Sequence, residues 1–112
     1  FGSLMGLVSP RTDLYGDSHK HIGYAVSKAG VIHMTKILAT HMAPRIRVNC
    51  ISPGGIEFSQ PETFQRDYGK HTPLRRMMDI QEILPAVKFL LDDQNTYTTG
   101  TNIIVDGGWS IQ

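Results

Sequence analysis

From Ile22 to His41 the chain carries no proline and keeps a helical spacing of apolar residues, which commits it to one long helix and restricts everything packed around it. Tyr24, Lys28, Val31, Thr35, Leu38 and Met42 fall on one stripe at i, i+4, i+7 spacing, predicted to face the protein body. Ala25, Ala29, Ile32, Ala39 and Ala43 form a second stripe of mostly small residues, broken by Lys36. Small residues let helices approach closely, so this stripe suits a neighbouring helix of the same subunit or of a second subunit. Pro44 ends the segment.

The rest of the pattern is α/β. Gly2 to Val8 is expected to be a strand end and turn, followed by a polar loop from Ser9 to about His21 that holds the turn formers Pro10, Asp13, Gly16, Asp17 and Ser18. Ile46 to Ile51 alternates as a strand covered on both faces, and Ser52-Pro53-Gly54-Gly55 leaves its carboxyl end. Ligands of open α/β sheets bind at such ends. Residues 57–78 are irregular, basic and aromatic, interrupted by Pro61 and Pro73, and are expected to be an unpatterned substrate-covering lid. Asp79 and Glu82 have the spacing of a capping box for a helix with Ile80, Ile83, Leu84, Val87 and Leu91 on its apolar face. Pro85 inside that segment must kink the helix or delay its start. A last strand, Asn102 to Val105, precedes Asp106-Gly107-Gly108.

Composition removes several classes of function. The 112 residues have a formal net charge of +1 with signs mixed along the chain, so they present no electrostatic footprint for nucleic acid or an acidic membrane. No apolar run approaches the ~18 residues of a membrane span. Cys50 is the single cysteine, which rules out an internal disulfide and fits a reduced, cytoplasmic setting; its apolar strand context suits a buried packing thiol. His33 and His41 on the helix, and His19 and His21 before it, lack a third ligand at metal spacing, so no metal site is expected. Arg66, Lys70, His71, Arg75 and Arg76 form one basic cluster, either a solvated face or an attraction for a phosphorylated substrate. Trp109 is a core anchor or a subunit contact.

Tyr24 and Lys28 lie four apart, on one face of the helix. An ammonium near a phenol favours the phenolate and lowers a pKa that is otherwise about 10, which makes Tyr24 an acid or base usable near neutral pH. The pair is common by itself, but here it stands among other features in a fixed order. Phe1-Gly2-Ser3-Leu4-Met5-Gly6 lies upstream. Arg45-Ile46-Arg47-Val48-Asn49-Cys50-Ile51-Ser52-Pro53-Gly54-Gly55-Ile56 and Thr99-Gly100-Thr101-Asn102-Ile103-Ile104-Val105-Asp106-Gly107-Gly108 lie downstream.

Together these motifs resemble the short-chain dehydrogenase/reductase family over essentially the whole chain. The resemblance implies that residues 1–112 are the C-terminal half of a single Rossmann-like domain, a doubly wound parallel sheet whose upstream strands precede Phe1. The Gly-rich phosphate turn, the family's catalytic asparagine and the residue that chooses between NAD and NADP are expected there too, so the cofactor is NAD or NADP. It implies Tyr24 as proton donor or acceptor, Lys28 as the group that tunes Tyr24 and holds the nicotinamide ribose, and Ser3 as the holder of the substrate oxygen. Pro53, Gly54 and the backbone of Ile56 are the implied further cofactor contacts.

Two departures qualify that picture. The interval from Ser3 to Tyr24 is longer than is usual in the family, with Ser9 or Ser18 as the alternative serine. Phe58 stands where many members carry a cofactor-binding threonine, four residues after Gly54. Within the family the long loop, Gln60-Pro61-Glu62 and the C-terminal motif look like the flagellin-modification or nonulosonate-pathway reductases, which act on sugar derivatives. The implied partners are a small alcohol or carbonyl substrate and a second copy of the chain, in a homodimer or homotetramer. The alternatives are a nucleotide-sugar epimerase or dehydratase with the same Tyr-Lys pair, and a non-catalytic assembly subunit.

Overall fold

A computed structural model describes residues 1–16 and 20–112; Asp17, Ser18 and His19 lie outside the described residues. The short helix α1 spans Thr12–Tyr15 and the long helix α2 spans Ile22–Met42. His21 caps α2, its Nδ1 accepting from the Gly23 amide at 3.1 Å. Ala43 adopts the extended conformation that a residue before proline favours, so Pro44 stops the helix as expected.

The inward face of α2 is narrower than the predicted stripes. Thr35 and Ala39 are buried, and Ala25, Lys28, Val31 and Ile32 are half-buried. Tyr24, Leu38 and Met42 stay exposed, and so do Ala29 and Ala43. The reason is what packs there: a 3₁₀ turn at Leu4–Gly6 crosses the helix instead of a second helix. A Cβ on Gly6 would come within 2.6 Å of the Lys28 carbonyl carbon, so only glycine permits this crossing.

Strand β1, Cys50–Pro53, pairs in parallel with β2, Asn102–Val105, in the register Cys50 to Asn102 through Pro53 to Val105. β2 has the predicted bounds, whereas β1 starts later than the predicted Ile46. Ahead of it the chain is tied by side chains: Asn49 Nδ2 and Arg47 both donate to the Thr98 carbonyl, and the Val48 amide donates to Thr99 Oγ1. The ladder begins only where β2 arrives. On the other side of β1, the Gly2 amide donates to the Ile51 carbonyl at 2.9 Å, placing the Phe1–Ser3 segment beside the strand.

Two predicted loops contain helices. Residues 9–21 include α1, whose Asp13 sits in the first turn. Residues 57–78 are largely ordered by α3, Glu62–Lys70, which begins after Pro61 with an acid in its first turn and a base in its last, as the helix dipole favours. Phe64 and Tyr68 lie i, i+4 on α3 with ring centroids 6.3 Å apart, a helical signal hidden by the surrounding polar residues. The Asp79–Glu82 capping box forms, on a 3₁₀ turn at Ile80–Ile83. Helix α4, Leu84–Leu91, follows with Pro85 in its first turn, where the missing N–H needs no partner, so proline delays the start and does not kink the helix.

Leu4, Met5, Tyr68, Met77 and Trp109 form the core, with Leu14, Tyr15, Ala25 and Phe64 against it. Trp109 is therefore a core anchor, stacked on Tyr68 at 4.3 Å. Cys50 is a buried free thiol. The radius of gyration is 15.4 Å, above the ~13 Å of a compact domain this size. Ile22, Val26, Met34 and Ile37 leave apolar surface along α2, and a groove of about 430 Å³ separates Ile51 from Val87 and Leu90 of α4.

Candidate active site

The turn after Phe1–Ser3, the head of α2 and the loop leaving β1 converge on one cleft. Its lining includes Ser3, Tyr15, Lys20, Tyr24, Gly54, Gly55 and Tyr68, around about 110 Å³. It lies at the carboxyl end of β1, where the topology of such sheets places ligands. The structure thus brings Ser3 and Tyr24 to a common surface. Ser9 lines a different cleft, beside His71 and Trp109, and Ser18 lies outside the described residues.

Ser3 is buried and caps the Leu4–Gly6 turn, its Oγ accepting from the Met5 amide at 3.2 Å. That bond uses an acceptor site and leaves the hydroxyl proton to be donated. Tyr24, in the first turn of α2, is exposed. One helical turn on, Lys28 donates from Nζ to the Phe1 carbonyl at 3.3 Å and stands 5.6 Å from the centre of the Tyr24 ring. The carbonyl holds the ammonium beside the ring, and an ammonium has three protons, so two remain for other partners.

The opposite wall is built differently. Gly55 donates its amide to the Tyr68 hydroxyl at 2.6 Å, and a Cβ on Gly55 would meet the Tyr68 ring at the same distance. Gly54 donates to the Val105 carbonyl at 2.8 Å and faces Asp106 so closely that a Cβ would come within 2.8 Å of its Cα. Both glycines therefore serve close packing. Burial pushes the Tyr68 phenol up to about 12, against a smaller lowering by the Gly55 bond. Burial also raises Tyr15, with Tyr24 nearby adding to the shift.

Ile56 forms a parallel bridge with Met78 through its neighbours: Met78 donates to the Gly55 carbonyl and Glu57 donates to the Met78 carbonyl, each at 2.9 Å. The amide and carbonyl of Ile56 itself consequently point away from Met78. The carbonyl accepts from Gln60 Nε2 at 2.9 Å, while the amide has no partner among the described residues. An open donor beside an acceptor suits a carboxamide, so this edge fits the nicotinamide end of the expected cofactor.

Sequence reasoning missed Tyr15 and Tyr68 as cleft residues. Tyr68 was within reach through the Phe64–Tyr68 helical pair, but Tyr15 arrives only because α1 folds back on α3, with its ring 5.7 Å from Phe64. The basic cluster is dispersed into local contacts: Lys70 and Arg66 pair with Asp67, His71 approaches Asp13, and Arg76 pairs with Glu82. Among the described residues, no group of three or more His, Cys, Asp or Glu side chains is arranged to hold a metal, and no helix is long and apolar enough to cross a membrane.

Parallel strands, flanking helices and a polar cleft at the strand ends define an α/β protein with a partial Rossmann-like sheet. A family model described as enoyl-(acyl carrier protein) reductase matches residues 2–110. The chain belongs to the short-chain dehydrogenase/reductase family. It is 39% identical to the 3-oxoacyl-[acyl-carrier-protein] reductase of Thermotoga maritima, over 96% of this chain and 45% of that protein. It is 33% identical to post-translational flagellin modification protein A of Campylobacter coli, over 97% of this chain and 44% of that protein. A short-chain dehydrogenase from Leptospira borgpetersenii, solved with bound NAD+, superposes with a TM-score of 0.92 at 42% identity, over 98% of this chain and 42% of that one. The chain thus spans less than half the length of these relatives.

Proposed function

We propose that this chain carries the acid–base portion of an NAD(P)-dependent oxidoreductase that interconverts an alcohol and a carbonyl. The observation that carries this reading is the placement of Ser3 and Tyr24 on one cleft at the carboxyl end of β1, with the Lys28 ammonium one helical turn behind. A carbon that gains or loses hydride changes the charge on its oxygen, so the oxygen needs donors aimed at it and a group that exchanges its proton. Ser3 donates to that oxygen, and Tyr24 gives or takes the proton. Lys28, steadied by the Phe1 carbonyl, holds positive charge beside the Tyr24 phenol. A bound nicotinamide supplies the hydride chemistry. Tyr24, Lys28, Pro53, Gly54 and the Ile56 backbone are the residues that would hold it.

The likeness to NADP-dependent mannitol dehydrogenases supports a sugar derivative as the substrate. The exposed Ile22, Val26, Met34 and Ile37 support assembly as a homodimer or homotetramer. The large radius of gyration supports residues 1–112 as the C-terminal half of one Rossmann-like domain. The single, buried, unpaired cysteine fits the cytoplasm.

In full-length protein, Tyr24→Phe is expected to lower turnover by about 10²–10⁴-fold, the scale of a lost general acid or base, with cofactor affinity within a few-fold. Lys28→Ala is expected to weaken both. Retained turnover in Tyr24→Phe, or an equal loss of NAD(P) binding in a nicotinamide fluorescence titration, removes Tyr24 from the proton-transfer role. The 112 residues alone lack a Gly-rich turn leading into a helix, the usual pyrophosphate site, and are expected not to bind NAD(P) tightly. Micromolar affinity by calorimetric titration, with a cooperative thermal transition, would show that they form a complete small domain.

A further inference from the structure

We propose that the substrate of this site carries a carboxylate, seated against Lys20 at the edge of the Ser3–Tyr24 cleft beside Tyr15. The proposal rests on the oxidoreductase reading above and names its substrate class. Among the described residues, the polar side chains lining the cleft are Ser3, Tyr15, Lys20, Tyr24 and Tyr68, and none of these is a carboxylate. Ser3 and Tyr68 already accept from backbone amides, so each hydroxyl has its proton to donate. Tyr15 is kept in its neutral, donating form by burial. The Lys20 ammonium can only donate.

Lys20 is also the cation that lines this wall. Its Nζ lies 5.3 Å from the centre of the Tyr15 ring, and it has no acidic partner among the described residues. Asp13, the acid of this segment among the described residues, is engaged elsewhere: it takes two 3.2 Å bonds from Arg11 and lies 3.4 Å from His71 Nε2. That contact and the Tyr15–Phe64 packing fasten α1 to α3, so Tyr15 of the longer Ser3–Tyr24 interval stands as part of the cleft wall. One ammonium matches the single charge of a carboxylate. A phosphate dianion would have only half of its charge matched by Lys20.

Matched pairs test the assignment in full-length protein: lactate against 1,2-propanediol, 3-hydroxybutyrate against 1,3-butanediol, and 4-hydroxybutyrate against 1,4-butanediol. Each pair differs by a carboxylate in place of a hydroxymethyl group. Binding is read by calorimetry on NAD(P)-saturated Tyr24→Phe protein, and kcat and KM on the wild type. At least one hydroxy acid is expected to bind about tenfold or more tightly than its diol, the scale of one charged hydrogen bond. Lys20→Gln should erase that ratio and raise KM for the acid by a similar factor, leaving diol binding and NAD(P) affinity unchanged, and Lys20→Arg should restore it. Parity within every pair, no binding of any hydroxy acid, or a ratio that survives Lys20→Gln overturns the proposal. Tighter binding of glycerol 3-phosphate than of every hydroxy acid overturns the carboxylate. Turnover that persists in Tyr24→Phe defeats the oxidoreductase roles while the binding ratios still report on Lys20, so the two failures are distinguishable.

Discussion

The two walls of the cleft are built on opposite principles. The wall at the head of α2 offers an exposed phenol and an ammonium held by one backbone carbonyl. The wall from β1 and α3 offers a phenol 3% exposed, bonded to a backbone amide and stacked on Trp109. Both contain a tyrosine, yet only Tyr24 is exposed and has its hydroxyl unbonded to protein among the described residues. The difference teaches that residue type does not assign a role: burial and hydrogen bonding separate a phenol that shapes a site from one left open in it.

The strongest way to break this contrast is to remove the buried anchor. Trp109→Ala is expected to destabilise the full-length protein by about 3–5 kcal/mol, because the stack on Tyr68 would leave a cavity in the Leu4–Met5–Met77 cluster. A melting temperature unchanged by that substitution would show that the C-terminal corner is not the core of these residues. Tyr68→Phe keeps the ring and loses only the partner of the Gly55 amide, with an expected cost of about 1–3 kcal/mol if that amide finds no water. Tyr24→Phe should change stability by less than about 0.5 kcal/mol, as an exposed substitution does, while carrying the large activity loss. Denaturant unfolding of these two variants side by side measures the asymmetry directly, and equal stability losses would erase it.

Titration sharpens the comparison further. Burial raises Tyr68 to about 12, so above the ordinary 10 the unfolded chain releases a proton that the folded chain keeps. Tyr68 therefore contributes its full stability below about pH 10 and loses it progressively toward about 12, and Tyr68→Phe should remove that part of the alkaline decline. The smallest effect is expected at the exposed Arg76–Glu82 pair. Two 2.6 Å bonds from Arg76 lower Glu82 to about 2, with a further bond from the Asp79 amide. Its contribution is whole above about 4.5 and is lost as the pH falls toward about 2. Solvent screens such a pair, so Glu82→Gln should lower stability near neutral pH only slightly and flatten the acid limb of a stability profile by the same small amount.

Local rules in the sequence were sufficient for the elements whose signals are local. The span of α2, the Asp79–Glu82 capping box, the bounds of β2 and the stop at Pro44 follow from periodicity, side-chain caps and the geometry imposed by proline. Residue order and motif were also enough to point to the family that the comparisons establish, and Ser3 and Tyr24, picked out on the same grounds, share one cleft. What the sequence alone did not determine depends on partners distant along the chain. β1 begins at Cys50 because β2 meets it there, and α1 and α3 hold their places through Tyr15–Phe64, Asp13–His71 and Tyr68–Trp109. Tertiary structure likewise decided that Gly6, Gly54 and Gly55 are glycines for close approach, that Tyr68 is walled in while Tyr24 is open, and that Lys20 reaches the cleft. Periodicity describes which side of an element is apolar, but only the packed chain sets which neighbour that side meets and which polar atoms are left without one.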